Sequence, residues 1–81
     1  MNIYRLTFAA TCPNDGEMIV YRLELKTNEV VYVEHLKAET ALIKTGIQEQ
    51  IADRLQQRFG GEQSMVAIHQ GVEIETLRKP A

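Results

Sequence analysis

Thr45-Gly46-Ile47-Gln48-Glu49-Gln50-Ile51-Ala52-Asp53-Arg54-Leu55-Gln56-Gln57-Arg58-Phe59-Gly60-Gly61 is the stretch whose reading decides the fold. Ile47, Ile51, Leu55 and Phe59 recur at intervals of four with Ala52 beside them. That spacing makes one helical face apolar and leaves Gln48, Asp53, Gln56 and Gln57 to water. Thr45 followed by Gln48 matches a capping box, which gives two backbone donors at the helix start a partner. Gly60 and Gly61 stop the helix, because glycine enters the left-handed region without the steric cost of a β-carbon. Glu49 near the start, and Arg54 and Arg58 toward the end, agree in sign with the helix dipole. A helix with one apolar stripe needs a surface to cover, and the β-patterned remainder of the chain is that surface.

On the N-terminal side, Tyr4, Leu6, Phe8 and Ala10 alternate with Ile3, Arg5, Thr7 and Ala9, the pattern of a half-buried strand. Cys12-Pro13-Asn14-Asp15-Gly16 is turn chemistry. Ile19, Tyr21, Leu23 and Leu25 then alternate against Val20, Arg22, Glu24 and Lys26, so the second strand returns antiparallel to the first. Thr27-Asn28-Glu29 is another reversal. Val30 to Val33 is β-rich and uniformly apolar, which fits a short third strand or the approach to a helix. Ala38, Ala41 and Leu42 are spaced for a helical turn or two between Lys37 and Lys44. A break at Thr45-Gly46 is preferred to one helix from Ala38 to Phe59, since an interior glycine costs roughly 1 kcal/mol. Met65 to His69 and Val72 to Leu77 read as a second hairpin around Gln70-Gly71.

The expected fold is therefore α+β: an antiparallel sheet from two hairpins in the order β-β-(β)-α-α-β-β. One long helix covers one face, and a short second helix is left open. Residues 1–78 make one domain and residues 79–81 a tail.

The chain has 81 residues, close to the lower limit for a self-sufficient core, which favours help from oligomerisation. Its 44% hydrophobic and 25% charged content is that of a globular protein. Nine basic and eleven acidic side chains give a net charge of −2 without clustering. Phosphate binding needs clustered cations, so nucleic acid is not an expected partner. No apolar run reaches the ~20 residues that span a bilayer, and no signal-peptide layout precedes the first strand, so no membrane partner is expected either. A single cysteine excludes an internal disulfide and suits a reducing, cytoplasmic setting.

Candidate chemistry is sparse. Cys12 offers a thiol in a turn, but no basic residue stands beside it in sequence to stabilise a thiolate. Glu34 and His35, at the end of the apolar run, supply a carboxylate and an imidazole. Adjacent strand residues would point to opposite faces. Cys12, His35 and His69 would be three metal ligands without the spacing of a zinc finger or ribbon, so no metal is assigned. Tyr4, Phe8, Tyr21 and Tyr32 could stack a small planar ligand, although aromatics at alternate strand positions usually belong to a core. No Ser-His-Asp set and no phosphate-binding glycine loop can be assembled.

Hairpin, helical segment and hairpin within one small chain resemble a unit of the tunnelling fold, whose pterin- and deazapurine-handling members join into oligomeric barrels. Cys12-Pro13-Asn14-Asp15-Gly16 is similar to the Cys-Pro-x-Thr-Gly motif of the 7-cyano-7-deazaguanine reductase family. Glu34, followed by Leu36-Lys37, is similar to the glutamate that opens that family's Glu-Ser-Lys-Ser-Leu-Lys stretch. The resemblance implies Cys12 as nucleophile and Glu34 as purine anchor. The family's acid falls on Ile19, and its Phe-His-Glu falls near Gly46-Ile47-Gln48, so the proton-transfer groups are replaced here.

Three readings of function follow. The first is a non-catalytic interaction or ligand-binding module without a cofactor, forming a homo-oligomer through its sheet and binding a protein partner or a small planar ligand through Glu34 and His35. The second is a tunnelling-fold enzyme or enzyme relative that binds a purine or pterin at a subunit interface. The third is a phage or mobile-element inhibitor protein. The absence of a complete catalytic set leans away from an enzyme.

Overall fold

The alternation over residues 3–10 and 19–25 pairs as one long hairpin in the computed structural model, which describes residues 1–80. Strands β1 (Asn2–Thr11) and β2 (Met18–Thr27) are antiparallel in a register that places Leu6 opposite Leu23 and Phe8 opposite Tyr21. Two helices follow, α1 (Val33–Leu42) and α2 (Gln48–Phe59), and then β3 (Glu62–His69) and β4 (Val72–Arg78). The sheet order is β1-β2-β3-β4, all antiparallel, so the chain is α+β with its helices inserted between two hairpins. The β3–β4 reversal is a two-residue turn with positive φ at both Gln70 (51°) and Gly71 (81°), the geometry whose twist matches a hairpin. Strand β4 ends at Arg78. Of the tail, Ala81 lies outside the described residues.

The helices cover one face of the sheet. Ala10, Ile19, Tyr21, Leu23, Met65 and Ala67 rise from the strands to meet Ile51, Ala52 and Leu55 of α2, Leu36 of α1, and Ile43. Leu55 is fully enclosed, and burying such a side chain is worth about 1.5–3 kcal/mol. Glu39 of α1 joins the helices by receiving Arg54 at 2.7 Å and Arg58 at 3.8 Å.

Several local expectations are corrected. Helix α2 begins at Gln48, and no side-chain cap closes it. Thr45 is drawn instead into a parallel bridge with Thr11, and its hydroxyl donates to the Thr11 carbonyl at 2.9 Å. Ile47 therefore precedes the helix and stays 41% exposed. Gln48 is not left to water: its amide donates to the carbonyls of Met65 and Ile74. Gln56 is half-buried and donates to the Gly61 carbonyl. Of the two readings open for the apolar run from Val30 to Val33, the approach to a helix holds, and Val31 packs against the core. Helix α1 is ten residues long and buries Leu36 and Thr40, while Ala38, Ala41 and Leu42 face outward.

The stop after α2 is built by both glycines and by the sheet. Gly60 supplies the C-cap, its amide donating to the Gln56 carbonyl at 2.8 Å. Gly61 has φ +68° and lies so close to β2 that a β-carbon there would meet the Lys26 carbonyl oxygen at 2.6 Å. Gln63, buried in β3, donates its side-chain amide to the Gly60 carbonyl just past the helix end at 2.7 Å, and to the Leu55 carbonyl in the last turn of α2 at 3.1 Å.

The second face of the sheet carries no helix. Its middle is polar: Arg5 pairs with Glu24 at 2.9 Å, and the Ser64 hydroxyl donates to the Glu75 carboxylate at 2.7 Å. Toward the turn end the surface becomes apolar, with Met18, Val20 and Ile68 each more than half exposed around a shallow depression. Among the described residues, no helix is long and apolar enough to cross a membrane.

Candidate functional site

In a four-stranded meander, the first and third turns lie at the same end of the sheet. The turn after β1 and the turn after β3 are consequently neighbours. Asp15, in the first turn, receives the Glu17 amide on Oδ1 at 3.0 Å and the Gln70 side-chain amide on Oδ2 at 2.7 Å. His69 Nε2 lies 2.8 Å from the same Oδ2. The Glu17 amide first, then Gln70 and His69, hold the Asp15 carboxyl well below the usual carboxylate range, because each stabilises the charged form.

Cys12 closes this cluster. Its Sγ, an Asp15 carboxylate oxygen and a His69 ring nitrogen all lie within 4.8 Å of one another. The thiol is not exposed as a turn position would allow: Cys12 is buried, 4% exposed. The backbone explains this, since the Cys12 amide donates to the Glu17 carbonyl and the Gly16 amide returns to the Cys12 carbonyl, both at 2.8 Å. The turn is thereby folded over its own cysteine.

Cys12 and His69 line a cleft of about 290 Å³ between the sheet and the start of α2. Gln48, Glu49, Asn14 and Thr76 add polar groups, and Ile19, Ile47 and Ile74 add apolar wall. Gly46 stands at the rim, where a β-carbon would meet Ile51 Cγ1 at 3.0 Å. The volume is at the small end of ligand pockets, ~300 Å³ and upward. A larger depression of about 450 Å³ lies on the uncovered sheet face among Arg5, Arg22, Glu24 and Glu75. Arg5 and Glu24 neutralise each other there, which leaves it a solvated charged surface.

Glu34 and His35 are not part of this cleft. They occupy the first turn of α1, both exposed, and not the end of a strand. His35 meets Tyr32 edge-on at 5.5 Å. The Val31 amide donates to the Tyr4 hydroxyl near the start of β1, whereas Cys12 follows the end of that strand. Eight residues of strand, roughly 26 Å at ~3.3 Å each, separate those two positions. Of the trio Cys12, His35 and His69, the structure joins the first and last and puts Asp15 in place of His35. The strand aromatics form no ligand platform and belong to the core, as their alternate positions favour: Phe8 stacks on Tyr21 at 5.3 Å, while Tyr32 lies out on the α1 approach.

Sequence reasoning missed Asp15, Gln48 and Glu49 as neighbours of Cys12. The signal for Asp15 was present in the order of elements, because two tight turns at one end of a meander must adjoin. Comparison with protein-family models, curated proteins and solved structures finds no match to this chain.

Proposed function

We propose that the protein is a self-associating small-ligand-binding module, whose copies join through the edges of their sheets and bind ligand in the cleft beside Cys12 and His69. The observation that carries this reading is the position of the cleft against an edge strand. Ile74 and Thr76 of β4 form its outer wall, and the exposed Ile47 lines it from the start of α2. A strand added along β4 covers these apolar side chains and narrows the mouth of the cleft. The uncovered sheet face favours association for the same reason, since Met18, Val20 and Ile68 leave an apolar patch in water at its turn end, and Leu77 is exposed on the same face of β4. Inside the cleft, amide, carboxylate and imidazole groups converge on an apolar wall, which suits one small polar heterocycle.

A tunnelling-type assembly is the second reading, favoured by the β-β-α-α-β-β order in one sequential sheet and by the place of Cys12 in the cleft wall. Glu34, at the other end of its own sheet, would then reach ligand only in the cleft of a neighbouring copy. Ile19 lines the cleft where the reductase family has its acid, so this reading concerns binding and not nitrile reduction.

Sedimentation equilibrium across micromolar concentrations tests the association. The expected mass is a whole multiple of one chain, and a mass of one chain throughout overturns both readings.

A further inference from the structure

We propose that Cys12, Asp15 and His69 form a binding site for a thiophilic divalent transition-metal ion of the zinc type. The donor atoms are a sulfur, a carboxylate oxygen and an imidazole nitrogen, already within 4.8 Å of one another. Bonds of about 2.0–2.3 Å in a tetrahedral zinc site set ligand atoms roughly 3.3–3.8 Å apart. Forming the site takes a closing of about 1 Å at the widest pair and a slight opening of the 2.8 Å contact between His69 and Asp15. Thiolate and imidazole together select zinc over magnesium or calcium, which prefer all-oxygen shells.

The surroundings are those of a prepared site. Backbone bonds between Cys12, Gly16 and Glu17 fix the cysteine and the aspartate on one folded turn before any ion arrives. Outer partners orient the carboxylate: the Glu17 amide on Oδ1 and the Gln70 side chain on Oδ2. On binding, the Cys12 thiol proton passes to solvent, the His69 ring exchanges its Nε2 proton through solvent for one on Nδ1, and the His69 contact with Asp15 is replaced by two bonds to the ion. Thiolate and carboxylate then balance the double positive charge. Cys12 and His69 line the cleft, so three protein ligands leave a fourth position directed toward Gln48 and Glu49, open to water or to a ligand donor atom.

The inference rests on the cleft assigned above but not on the assembly. Cobalt(II), added to the purified full chain, is the probe, with zinc(II) as competitor. One cobalt per chain is expected, with tetrahedral d–d bands and a thiolate-to-cobalt charge-transfer band. Zinc should displace both. Cys12→Ser should abolish the charge-transfer band, and His69→Gln should weaken binding by about tenfold or more, while His35→Gln changes nothing. In the unaltered chain, zinc should shift the imidazole nitrogen resonances of one of the two histidines, His69, and leave His35 unmoved. This second readout stands even where a variant fails to fold. Absence of the charge-transfer band at saturating cobalt, or equal response of both histidines, overturns the site. A single-chain mass with a normal cobalt spectrum contradicts the assembly alone, and an oligomer without the spectrum contradicts the metal alone.

Discussion

His69 and Asp15, 54 positions apart in sequence, meet at 2.8 Å and bind the two hairpin turns to each other. Asp15 is the shared acceptor of that clasp, because the Glu17 amide and the Gln70 side chain also converge on it. These bonds favour the ionised carboxylate, so its pKa in the folded chain lies below the ordinary value. A depressed carboxylate contributes stability that is present above its unfolded pKa of about 3.9 and is lost as pH falls toward the folded value. Asp15→Asn should therefore lower the urea midpoint at neutral pH. The gap from the unaltered chain should narrow as pH falls below about 4. A gap that stays constant from pH 7 to pH 2 would show that the charge of Asp15 contributes nothing.

Leu55 is enclosed between α2 and the sheet, and Leu55→Ala should cost about 2–5 kcal/mol in equilibrium unfolding. The proper control is Gln57, which is exposed, and not Gln56, which is half-buried and bonded to the Gly61 carbonyl. Gln57→Ala should change stability by less than about 0.5 kcal/mol. Similar losses for the two would mean that the buried face of α2 has been misplaced.

Gln63 ends α2 from the sheet by donating to the Leu55 and Gly60 carbonyls. Gln63→Ala leaves the part-buried Gly60 carbonyl without its donor and removes the second donor to the Leu55 carbonyl, and should cost about 1–3 kcal/mol. Hydrogen exchange should locate the loss in the last turn of α2 and the start of β3. Uniform acceleration over the whole chain would argue against a capping role.

The two glycines after α2 should respond differently to alanine. Gly60 has open space around its missing β-carbon, whereas at Gly61 that atom would stand 2.6 Å from the Lys26 carbonyl oxygen. Both have positive φ, so each substitution carries strain of order 1–3 kcal/mol. Gly61→Ala adds a backbone clash, and its melting temperature should fall clearly below that of Gly60→Ala. Equal melting temperatures would show that the close approach of β2 to Gly61 does not constrain that position.

Leu77 is more than half exposed on the uncovered face of the β4 edge. Leu77→Lys adds a charge of the kind that natural edge strands use against pairing. If copies join along β4, this variant should dissociate at a higher concentration in sedimentation. An unchanged oligomer would take the joint away from β4, and with it the covering of the cleft mouth by a neighbouring copy.

Much of the scaffold was legible because it is local. The four-residue recurrence through Ile51, Leu55 and Phe59 belongs to one helix wherever that helix lies, and the two-residue alternation through Tyr21, Leu23 and Leu25 belongs to one strand. Gly60 and Gly61 marked the stop through their own backbone freedom. Where a residue's role depends on a distant partner, local pattern failed. Thr45 was a cap by sequence and became a bridge to Thr11, because β1 runs beside the inter-helix link. Gln48 looked solvated and instead reaches β3 and β4. Glu34 and His35 stand on a helix remote from Cys12, since the β2–α1 link returns to the far end of the sheet. The neighbours of Cys12 were decided by topology. A meander of four strands sets its first and third turns side by side, and only that packing brings Asp15 and His69 to the cysteine.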